Sequence, residues 1–400
     1  MGRLDLLTGN LYPILQLLIL LLVSWSQTVA ADIIFAAQPM GPSSNIYAVD
    51  AEGQLNKLTD DTRWRDLMVH VGSDEALVFT SNRKENPKID LHQRSATFNI
   101  FTLEDGSLRK LTDDANMEAY PQFSPDGKRI VFIGYGTNST SLQIMERNGN
   151  DRRTLATAPE ITGFSWSPDG TSIAYAMQDG DRSAVEIVEI NAKRTSPPRS
   201  LLEYRTSGPD KNSDPEVAAK INGFSQIVTS AQWSPDGDKI AYIVHSLKEQ
   251  ERVLRVIDLK SGEDRQISSS GIHVQQPITW AFDSERLLYA ALVNYDFYYD
   301  EKQQEKVYEG GMHIFLSTIN GQSQQLTHGD HLHNRPVFSP DGKTIAFLYG
   351  DKLDSRTLSV RVMDIDGKPA REIFSGATRD SFLYWTPTTD TKQLAGAGNG

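Results

Sequence analysis

The chain has 400 residues, with 29 glycines, 18 prolines and no cysteine. Near-average Gly and Pro usage beside 38% hydrophobic residues excludes a collagen-like, low-complexity or globally disordered chain. The missing cysteine removes disulfides, thiolate metal sites, thiol nucleophiles and a lipid-bearing cysteine. A net charge of −12 argues against nucleic acid and anionic membrane as partners.

Residues 11–23 are apolar except for Tyr12, Pro13 and Gln16, and small residues follow at Thr28, Ala30 and Ala31. The run is shorter than the roughly 20 residues of a spanning helix, so it reads as an export signal over residues 1–30. The mature chain is then expected to be periplasmic or secreted, with no membrane span. An uncleaved anchor is the alternative.

The rest of the chain is a repeat. Phe123, Trp166, Trp233 and Phe338 each precede Ser-Pro-Asp-Gly, and an alternating apolar stretch follows. Degenerate copies start at Val71 and Trp280, and a fragment stands at Trp385. Pro presets φ at the second turn position and Gly frees the fourth, so each copy reads as strand, tight turn, strand. A second hairpin interleaves with the first, built on Glu52-Gly53, Asp105-Gly106, Asn148-Gly149, Ser261-Gly262, Asn320-Gly321 and Asp366-Gly367. The two hairpins together give a four-stranded propeller blade.

Anchors at 71, 123, 166, 233, 280, 338 and 385 count out the blades. The C-terminal fragment lacks the remainder of its unit, and the mature N-terminus lacks its opening. Residues 31–61 and 381–387 are therefore expected to share one blade. The expectation is an all-β, seven-bladed β-propeller over 31–387, closed by strands from both termini. Six blades is the alternative, because the Val71 copy is degenerate. Insertions fall at 83–98, at 191–230 with one helical turn at 216–220, and at 293–312 as an extended hairpin; 388–400 is expected to be a disordered tail.

These repeats resemble the WD40-like (PD40) repeat of the TolB propeller, and are similar to propellers that precede prolyl-oligopeptidase-type hydrolase domains. The likeness runs from about Asp32 to Thr386. It lacks the α/β domain of TolB ahead of the ring, and no Gly-x-Ser-x-Gly stands in the chain. The resemblance implies the fold and leaves the activity open.

The turn acids Asp126, Asp169, Asp236 and Asp341 recur in every full copy and read as structural. The site candidates are His328, Asp330, His331, His333 and Arg335, in a connection that propellers direct to the channel mouth. His331 and His333 alternate, so both imidazoles can face one way and serve a divalent metal. Equivalent connections offer His273 with Gln275 and Gln276, Glu118 with Tyr120, and Trp64 with Arg65 and Asp66. Tyr295, Phe297, Tyr298 and Tyr299 form a candidate partner patch.

The first expectation is an exported, monomeric, non-catalytic scaffold without cofactor that binds a protein or envelope component. The alternative is a metal-dependent lyase or hydrolase on acidic polysaccharide, using residues 328–333 as the similar oligogalacturonate lyases use histidines.

Overall fold

The computed structural model describes residues 31–39, 43–50, 52–83, 97–190, 196–205, 226–246, 248–302, 304–366 and 369–386. The leader, most of the 83–98 insertion, the helical turn at 216–220 and the tail from 388 lie outside the described residues. Regular structure among the described residues is β-strand throughout. None of them forms a helix long and apolar enough to cross a membrane.

Among the described residues strand pairing gives seven four-stranded antiparallel units, four of them linked edge to edge by single pairs at Arg252–His273, Met312–Leu332 and Ala37–Ala377. Blades one to six open on Asp66–Val71, Glu118–Phe123, Glu160–Trp166, Gln226–Trp233, His273–Trp280 and Leu332–Phe338. The seventh opens on Leu383–Trp385, which pairs with Ile33–Ala37 and so leads to Asn45–Val49 and Leu55–Lys57. Its register joins Ile33 to Trp385 and Phe35 to Leu383. Asp32 and Thr386 lock the end of the pair, with N–H bonds of 2.9 and 2.8 Å running each way.

The repeated turn explains its own sequence. In each full copy the serine hydroxyl donates to the aspartate two residues on, at 2.5–2.6 Å. The same Oγ accepts the N–H five residues on, at 2.9–3.0 Å. Burial works against ionisation of these carboxylates. The serine and backbone N–H bonds outweigh it, joined by neighbouring cations at Asp126, Asp236 and Asp341 and by the Thr171 hydroxyl at Asp169, and hold all four below the usual carboxylate value. The turn acids are thus consumed by the turn.

Seven apolar clusters lie one at each junction between consecutive blades. Every anchor packs against the blade before its own: Phe123 on blade one, Trp166 on blade two, Trp280 on blade four. Strand period divides one strand between two seams. Ile173, Tyr175 and Met177 face blade two, while Ala174 and Ala176 face blade four. The insertion of blade five is an extended hairpin, Arg286–Asp300 paired with Glu305–Thr318.

Phe35 is fully buried in the closing blade, its ring 4.9 Å from Phe374. Phe35→Ala should lower stability in urea by about 3–5 kcal/mol. Phe282→Ala, at a side chain 63% exposed in a degenerate turn, should change it by less than about 0.5 kcal/mol. Comparable losses for both would contradict this account of closure.

Candidate functional site

Six of the opening strands break register at one depth: Leu67/His70, Ala119/Gln122, Ile161/Gly163, Thr229/Gln232, Gln275/Ile278 and Asn334/Val337. A bulge bends the strand and re-aims a side chain. In four of these bulges a non-glycine residue adopts the left-handed backbone: Met68, Tyr120, Ser230 and Arg335, with φ between 52° and 67°. Such backbone costs of order 1–3 kcal/mol and collects at functional positions. Each stands three residues before its anchor, where the other blades have Gly163, Pro277 and Phe382.

Several of these positions approach one another across blades. The Tyr120 ring stands edge-on to Phe382 of blade seven at 5.9 Å, although blade one lies between them. On the other side a Cβ added to Gly163 would fall 3.1 Å from the Cα of Ser230 and 3.7 Å from Oε1 of Gln276. Arg335 is the one charged residue among the seven. Its guanidinium lies 4.1 Å from the centre of the Phe382 ring, and its Nε donates to the Arg379 carbonyl at 2.8 Å. Burial pulls its pKa down from the ordinary value, against the opposing pull of Asp380, Tyr120 and Tyr384.

The histidines gather at the junction of blades five and six. The rings of His331 and His333 are 6.1 Å apart, and His313, which the sequence reading missed, lies 5.8 Å from His333 and 6.3 Å from His328. Tyr349 and Phe347 complete the group, 5.3 and 5.8 Å from His333. Nδ1 of His333 meets the Met312 carbonyl at 3.0 Å, and Nδ1 of His331 meets that of Asp351 at 3.1 Å. A carbonyl only accepts, so both rings carry their proton on Nδ1 and leave Nε2 bare. The amide nitrogen of Gln325 donates to Nδ1 of His328 at 3.0 Å, which puts that proton on Nε2. Among the described residues no group of three or more His, Cys, Asp or Glu is placed to hold a metal ion.

The other candidates scatter. Asp330 is exposed beside the cluster, and His273 is apart from it. Its row runs from Arg252 through His273, Leu292 and Met312 to Leu332, three strand steps away. Tyr295, Phe297, Tyr298 and Tyr299 are exposed on the long ribbon, with Phe297 stacked on Tyr308 at 6.3 Å. One signal for His313 was in the sequence: the preceding Gly310-Gly311 pair. A Cβ at Gly311 would lie 2.6 Å from Cε1 of His313 and 2.4 Å from the Gly329 carbonyl.

Burial lowers the pKa of His333 from 6.5 to about 4. The folded ring stays neutral while the unfolded one takes up a proton below pH 6.5. Its contribution is therefore whole above 6.5 and is lost as pH falls from 6.5 to about 4, on the order of 3 kcal/mol in all. His333→Gln should flatten the fall of the urea midpoint across that window. An unchanged slope would refute the assignment.

Residues 25–207 match the family described as the TolB beta propeller domain. An uncharacterized peptidase, YuxL of Bacillus subtilis (strain 168), is 25% identical over 222 residues, or 48% of this chain and 31% of that protein. Dipeptidyl-peptidase 5 of Porphyromonas endodontalis is 23% identical over 250 residues, 61% of this chain and 31% of its own length. This chain thus spans about a third of the curated relatives it matches. A puromycin-hydrolyzing peptidase of Mycobacterium tuberculosis superposes with a TM-score of 0.60 at 13% identity, over 90% of this chain and 54% of that one. The curated relatives overturn the expectation of a non-catalytic scaffold, since both carry peptidase names. The repeats and the blades make the chain a β-propeller, and over residues 25–207 the family match makes it TolB-like.

Proposed function

We propose that the chain is the ring of a peptide hydrolase, receiving short peptides at its axis and presenting them to hydrolytic chemistry. The observation that carries this reading is the sequence match to two curated peptidases. The ring's share is reception and selection. Among the described residues the rings of His70, His328, His331 and His333 hydrogen-bond to backbone groups or to Gln325 and to no serine. The bulged positions, by contrast, bring side chains from separate blades to one axis, as substrate selection requires. Export of the mature chain belongs to the same reading and rests on the apolar run at residues 11–23.

The full chain titrated with N-acetylated tri- to hexapeptides in a calorimeter should show saturable binding, and oligogalacturonides should show none. Peptides that fail to bind at millimolar concentration, or a preference for oligogalacturonides, would overturn the proposal.

A further inference from the structure

We propose that Arg335 binds the C-terminal carboxylate of a peptide lodged in the axial channel. The inference rests on the peptide reading above and names the end of the peptide that the ring grips.

An arginine carries five N–H donors. The Nε of Arg335 is committed to the Arg379 carbonyl. Among the described residues the terminal nitrogens have no hydrogen-bond partner, and no carboxylate comes within ion-pair distance of them. Asp380 acts on the guanidinium only at longer range. The terminal nitrogens of this half-buried side chain are left to solvent, so the head group is free to take an anion.

The backbone is built around that head group. Arg335 has φ 53° at a bulge, with Pro336 following, and its guanidinium carbon lies over the Phe382 ring, 4.1 Å from the centre. The ring and the Arg379 carbonyl hold the head group and leave its two terminal nitrogens unbonded, a pair that a carboxylate can meet with two parallel bonds. Tyr120 stands against the other side of Phe382 and is 38% exposed, so the cluster opens to solvent. Opposite it, Gly163 and Ser230 are small and uncharged, which leaves room along the axis.

Charge selects among anions. The seven positions three residues before the anchors carry one cation, on a chain of net charge −12. One guanidinium balances one carboxylate. A dianionic phosphate or a polyanion would face the acidic protein with most of its charge unmatched.

The test compares N-acetyl-tetraalanine as the free acid with the same peptide as its carboxamide, by calorimetry on the full chain. The acid should bind at least about tenfold more tightly, as a charge-assisted pair implies. Arg335→Gln should bring the acid down to the level of the amide and leave the amide unchanged, and Arg335→Lys should restore part of the difference. The comparison on the unmodified chain stands even if a variant fails to fold. Equal binding of acid and amide there removes the carboxylate site while the peptide reading survives. Binding of neither peptide removes both. Inorganic phosphate displacing the acid better than acetate does would overturn the carboxylate assignment in favour of a phosphate site.

Discussion

A four-stranded blade is too thin to bury either of its own faces, and everything in this ring follows from that shortage. Each blade is apolar on both sides, as the strand Ser172–Asp179 is, with alternate residues serving two neighbours. No blade is finished until both neighbours are in place. The seven seams are therefore one circular system. The repeated aromatic anchors are the pieces of it that a reader of the sequence sees first. Their indoles and phenyl rings fill the gap toward the preceding blade, and cations sometimes cap them, as Arg129 does over Trp166 at 5.5 Å.

The same circular arrangement creates the axis. Strands that splay outward crowd inward, and the opening strands relieve the crowding with bulges at a common depth. What reaches the centre is then decided residue by residue. Blade three spends its place on glycine, blade four on serine, blade six on arginine. A scaffold uniform in its turns is thus individual at its hub, which is how one architecture comes to serve unrelated chemistries.

This contrast accounts for what was legible. The Ser-Pro-Asp-Gly turn is a local device whose hydrogen bonds close within five residues, so its copies announce strands, turns and their functional silence together. The sharing of a blade by Ile33–Ala37 and Leu383–Trp385 was also readable, because each end carried the complement of what the other lacked. The axial cluster was not. Tyr120 and Phe382 lie on blades that are not neighbours, and their meeting depends on ring curvature that no window of sequence contains. Prolines at 121, 277 and 336 were the trace it left, since a proline inside a strand marks a bulge or an edge. His313 escaped for a similar reason: it joins His328 and His333 from a different strand, with only a glycine pair to mark the approach.

The strand pair that shuts the ring has a further meaning in time. Ile33–Ala37 is the first strand of the ring to be made, and its partner Leu383–Trp385 comes some 350 residues later. Blades one to six can stack as they emerge, while the first strand waits with one hydrogen-bonding edge bare. Shutting the ring is therefore the last act of assembly. A chain halted before residue 383 leaves behind a nearly complete but open arc, with an unpaired edge and two apolar faces. The junction that secures the finished ring is thus the one that a truncated chain lacks.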